Sequence, residues 1–100
     1  MNVQHRASYN VAYKTKENEY SYLTFYSEQH RDNYLESNVV NVVKTWVDLY
    51  YYVSGTLFKF SNVTEQYVSD VKKNVEKLVT ESEVATYLQK LELNGVHTNT

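Results

Sequence analysis

One stretch, Leu35 to Phe60, constrains this chain more than any other. It holds the only Trp, the run Tyr50-Tyr51-Tyr52 and two of the three Phe. Leu35, Val39, Val42, Trp46, Leu49 and Val53 recur at alternating spacings of four and three residues. At about 100° per residue, that spacing puts them on one side of a helix, with Val43 and Tyr50 widening it. Val40, Val47 and Tyr51 form a second stripe, roughly 100–140° around from Trp46 by the same count. The spacing predicts a long helix through LESNVVNVVKTWVDLYYYV, either one helix over 28–53 or two. Gly55 suits the left-handed position that ends many helices. A short strand, TLFKF, follows. A second arrangement stays open, because the Val residues are β-branched and disfavour helix. Leu49 to Val53, Ser54-Gly55 and Thr56 to Phe60 then make a tight hairpin. The helix is preferred because its period holds over several turns, with Trp46 buried beside Val39, Val42, Leu49 and Val53.

The flanking segments are simpler. Ser8 to Lys14 alternates, with Tyr9, Val11 and Tyr13 on one side. Tyr20 to Tyr26 is a second strand, and Thr15 to Glu19 a polar turn between them, so the N-terminus is a β-hairpin. Both sides of the second strand are apolar or aromatic. Ser27 is placed to cap a helix starting at Glu28. Asn62-Val-Thr-Glu65 and Thr80-Glu-Ser-Glu83 read as capping boxes. Thr64, Tyr67, Val68, Val71, Val75, Leu78 and Val79 make one amphipathic stripe, and Val84, Tyr87, Leu88 and Leu91 another. Asn94-Gly95 stops the last helix, and residues 95–100 are expected to be a flexible tail. The expected fold is α+β, a single compact domain over 1–100. It has an N-terminal hairpin, a long central helix, a third strand and one or two C-terminal helices, with the helices on one face of a three-stranded sheet.

Composition narrows the function. Ten basic residues against twelve acidic ones give a formal net charge of −2. That balance argues against a strongly acidic nucleic-acid mimic and against a protein held to nucleic acid by bulk charge. There is no Cys, which removes disulfides and cysteine-based metal sites or nucleophiles. The first residues lack a signal-peptide layout, and no apolar run reaches membrane-spanning length. A cytoplasmic, soluble protein is expected. Eleven Tyr in one hundred residues is heavy, and Tyr is favoured both in strands and at interface cores.

Catalytic groupings are missing. His30-Arg31-Asp32 repeats the H-R-D of protein-kinase catalytic loops, but Ser37 stands where the metal-binding Asn belongs, five residues after Asp32. His5, His30 and His97 fall in no i, i+4 pair and no metalloprotease motif. Asn62-Val-Thr64 is a formal glycosylation sequon that capping explains better. No enzyme activity, cofactor or metal is expected.

The expected function is a small non-catalytic protein–protein interaction module, a homodimer or a regulator or inhibitor of a larger protein. Such a domain fits a phage or other mobile element. The stripe Val40, Val47 and Tyr51, with Tyr52 at its margin, is the candidate partner surface, because the stripe beginning at Leu35 already supplies a core-facing side. Two alternatives are a Tyr-lined pocket for a small ligand or nucleotide, and single-stranded nucleic acid on the hairpin, where Tyr9, Tyr13, Tyr20, Tyr22 and Tyr26 mix with Arg6, Lys14 and Lys16.

Overall fold

A computed structural model of the chain describes residues 2–38 and 41–94. Its elements are β1 (Val3–Lys14), β2 (Tyr20–Phe25), α1 (Glu28–Ser37), β3 (Asn41–Val53), β4 (Thr56–Val63), α2 (Glu65–Glu76) and α3 (Glu81–Leu93). The α+β class is as expected, but the sheet has four strands, in the order β2-β1-β3-β4, and every pairing is antiparallel. β2 and β3 both run antiparallel to β1, so they run parallel to each other with α1 in the crossover between them.

The main correction concerns the central helix. Asn41–Val53 is the longest strand, and helix is confined to Glu28–Ser37 before it. Two physical reasons account for this. β-branched Val and aromatic Tyr and Trp fit a pleated surface better than a helical one. Both sides of this strand also carry large apolar or aromatic side chains, which erases the period-two signal and leaves an accidental period near 3.5. The hairpin that stayed open in the sequence is the one that forms. Ser54 and Gly55 have φ of 49° and 89°, and two consecutive positive φ values make the type I′ turn favoured between twisted strands. Gly55 therefore closes a hairpin rather than a helix. At the other hairpin, Asn18 takes the left-handed position (φ 65°) and its amide donates to the Thr15 carbonyl at 3.0 Å.

Two helix caps follow the sequence and the third is shifted. Ser27 Oγ accepts from the His30 amide at 3.0 Å, and Thr80 and Glu83 close a reciprocal capping box. At α2 the cap is Thr64, whose Oγ1 accepts from the Tyr67 amide at 3.0 Å. Asn62, the expected cap, instead sits at an irregularity of β4 with φ 55°, and its amide donates to Asp48 Oδ1 at 2.9 Å.

The core lies between one face of the sheet and helices α2 and α3. Leu49, Tyr51, Val53, Phe58 and Phe60 from the sheet meet Val71, Val75, Val84 and Leu88 from the helices. Val79, expected in the α2 stripe, lies beyond the helix end and is exposed. α1 covers the β2 side of the same face, with Tyr34 against Phe25. Arg31 fastens it there. Its guanidinium lies over the Tyr9 ring at 5.5 Å and pairs with Asp32 and with Glu65 of α2, each at 2.9 Å. The H-R-D sequence is thus a structural clamp. Glu65 also hydrogen-bonds Glu28, and that bond with its charge raises the Glu28 carboxyl above its ordinary value. Among the described residues no helix is long and apolar enough to cross a membrane.

Candidate functional site

The strands alternate, so every residue that faces the helices has neighbours that face away. Cross-strand register identifies those neighbours. Lys14 pairs with Tyr20, Ala12 with Tyr22 and Lys44, Asn10 with Thr24 and Trp46, Arg6 with Tyr50, and Tyr50 with Lys59. Gln4, Tyr52 and Leu57 complete the same side. No helix of the described residues covers this second face. Tyr20, Tyr22 and Tyr26 remain 60%, 67% and 62% exposed, and Tyr52 45%.

The face has a definite electrostatic character. All four basic residues found in strands, Arg6, Lys14, Lys44 and Lys59, lie on it. Each sits over an aromatic ring: Arg6 over Tyr26 at 5.2 Å, Lys14 over Tyr20 at 5.2 Å, Lys44 over Trp46 at 5.6 Å and Lys59 over Tyr50 at 5.6 Å. A cation in that position is attracted by the negative face of the ring. Trp46 also takes the edge of Tyr22, with centroids 6.4 Å apart. Of the twelve acidic residues, Asp48 alone lies in a strand, and its carboxylate already accepts from the Asn62 amide and, at 3.4 Å, from Asn10 Nδ2. Nine of the others lie in the three helices. A chain of formal charge −2 thus presents one basic aromatic face.

A polar row supports this face from beneath. Asn10 is buried in its middle, accepting from Thr24 Oγ1 at 2.9 Å while its amide nitrogen donates to the Ser8 carbonyl and to Asp48. Ser8 is buried beside it. Ser8 and Asn10 are thus two buried polar residues on an otherwise solvent-facing sheet side. The row fixes the register of β2, β1 and β3, since a slip of one residue would break its cross-strand bonds to Thr24 and Asp48.

The candidate partner residues fall in different places. Val47 and Tyr51 are buried in the chain's own core, on the helix-covered face. Tyr52 is on the opposite, open face. Val40 lies outside the described residues, as do Val39, Gly95 and the expected tail. A strand separates Tyr51 from Tyr50 and Tyr52 by 180°, so the second helical stripe does not exist. Trp46, expected in the core with Leu49 and Val53, stands half-buried on the open face instead. Tyr50, Trp46 and Lys59 belong to the surface and were not among the candidates. The signal that could have found them was the alternation Trp46, Asp48, Tyr50, Tyr52, hidden by equally large residues between. Among the described residues no group of His, Cys, Asp and Glu could hold a metal ion.

No protein-family model, curated protein or solved structure matches this chain.

Proposed function

We propose that the chain is a non-catalytic protein-binding module, a small regulator or inhibitor of a larger protein, and that it binds through the open face of the sheet. The observation that carries this is the set of six aromatic side chains, Tyr20, Tyr22, Tyr26, Trp46, Tyr50 and Tyr52, gathered on the face that the helices leave bare. A Tyr of some 200 Å² left more than half in water keeps roughly 100 Å² to bury, about 2–3 kcal/mol per ring before association costs. Tyr, Trp and Arg are also the residue types that dominate binding energy at protein interfaces. Charge selects the partner. Two copies meeting face to face would bring eight cations together, so a different protein with an acidic surface fits better than a second copy. Stacked nucleic-acid bases fit less well, because the chain's own cations occupy four of the ring faces that bases need.

The test is photo-crosslinking with benzoyl-phenylalanine placed at Tyr22, or at Val79 on the far side. The proposal expects a nuclease-resistant protein adduct from position 22 and none from 79. An adduct from 79 alone, or one destroyed by nuclease, overturns it.

A further inference from the structure

The sheet has a break in its edge. β2 pairs with β1 only from Tyr9 to Lys14, after which the chain turns away at Ser27 into α1. β1 continues to Val3 with β3 on one side and, among the described residues, no strand on the other. Every second residue of Val3–Ser8 therefore directs its N–H and C=O outward, a template for another strand. The residue before this edge is tied down at both its backbone groups. The Ser54 amide donates to the Asn2 carbonyl at 3.3 Å, and the Asn2 amide donates to Glu81 Oε1 at 2.7 Å. The carboxyl of Glu81 is held below its ordinary value, first by that backbone bond.

Concave ground lies on both sides of the edge. On the open face a hollow of about 450 Å³ runs past Arg6 and Tyr26 to Tyr50, Tyr52 and Leu57, and no carboxylate lines it. On the helix side another of about 450 Å³ opens between α1 and α2, over Ala7, Leu49, Tyr51 and Val68, with Glu28 and Lys72 also in its lining. An added strand would send alternate side chains into the two, which is how strand-addition sites obtain specificity while backbone hydrogen bonds supply affinity.

We infer that Val3–Ser8 is a strand-addition site for an extended peptide segment of a partner protein, with acidic side chains on the open face and apolar ones beneath α1 and α2. The acidic positions meet Arg6, and the apolar ones meet Ala7 and Val68. A second copy is a poorer occupant, since two-fold pairing of this edge with itself sets His5-Arg6 beside Arg6-His5 and brings no carboxylate. The free edges of β2 and β4 also contain no Asp or Glu. The inference rests on the protein-binding reading above, but its test is separate.

Random peptides are panned against the intact chain, and the enriched ones are titrated into the labelled protein by NMR. The expected peptides alternate acidic and apolar residues, shift the amides of Val3–Ser8, and lose at least tenfold in affinity when their alternate backbone nitrogens are methylated. Arg6→Glu, with its circular dichroism unchanged, is expected to weaken them at least tenfold too. Methylation remains decisive if that variant fails to fold. The inference is overturned if no peptide is enriched, if methylation leaves affinity unchanged, or if shifts fall around Tyr22 and Trp46 and spare the edge. The last result would leave the open-face reading standing. A wild-type dimer with Val3–Ser8 at its interface also overturns it, because the edge would then belong to a second copy. Failure of the protein-binding reading shows separately, in the crosslinking from position 22.

Discussion

The two faces of this sheet are made from the same strands and much the same residue types, yet they do different work. On the covered face, Tyr51 is 1% exposed, stacked on His5 and packed among Leu49, Phe58 and Val84. On the open face, Tyr52, the next residue, is 45% exposed. Neighbours in sequence differ because helices cover one face only. Composition alone does not assign a tyrosine to core or surface here, and the pleat does. The cations follow the same division, since the strand Lys and Arg are all on the open face, where long stems lie along rings and charged heads reach water.

The largest expected effect would break the comparison at its sharpest point. Tyr51→Ala should destabilise the fold by roughly 3–5 kcal/mol, as truncating large core side chains does. Tyr52→Ala should stay within about 0.5 kcal/mol of wild type, as surface changes do. Urea denaturation of the pair measures both, and equal losses would mean that the open face is also structural core.

A pH titration probes the covered face next. Burial, then the charge of Glu76, pushes the Tyr51 phenol up to about 12. Burial, then Tyr87, does the same to Tyr67, also to about 12. The folded values lie above the unfolded value of 10.0, so this stability is fully present below pH 10 and is lost as pH rises toward 12. Alkaline unfolding followed by circular dichroism should therefore begin above pH 10, and Tyr51→Phe should delay it.

Gly55→Ala tests the turn that keeps the two faces in register. No atom would meet the added Cβ, so the cost is backbone strain at φ +89° alone, about 1–2 kcal/mol in thermal unfolding. An unchanged melting temperature would mean that the type I′ turn is not formed.

The smallest effect has the opposite sign. The Tyr67 hydroxyl is buried with no hydrogen-bond partner among the described residues, although the ring packs near Phe60 at 6.3 Å. Tyr67→Phe removes an unsatisfied group and should stabilise by up to about 1 kcal/mol. A loss of stability would reveal a partner for the hydroxyl.

How much was legible follows from the same contrast. The β1–β2 hairpin was readable because β1 alternates, and the starts of α1 and α3 because Ser27 and the Thr80–Glu83 box carry their own hydrogen-bond chemistry. β3 was not, because a strand whose two sides are both large and apolar has no alternation to read. Its Leu49, Tyr51 and Val53 serve the core while Trp46, Tyr50 and Tyr52 serve the surface. The same step decides where Tyr51 goes, since a helix puts it on a second stripe and a strand puts it inside. Three successive Tyr cannot share one face of a strand, and Tyr51 and Tyr52 divide accordingly.

At the centre of this account, β3 divides its tyrosines between the core and the open face. Nitration by tetranitromethane, read residue by residue by mass spectrometry on the native chain, tests it directly. Tyr20, Tyr22, Tyr26 and Tyr52 should react readily, while Tyr51 and Tyr67 stay unmodified until the fold is unfolded. Reaction of Tyr51 as fast as Tyr52 in the folded protein would contradict the account.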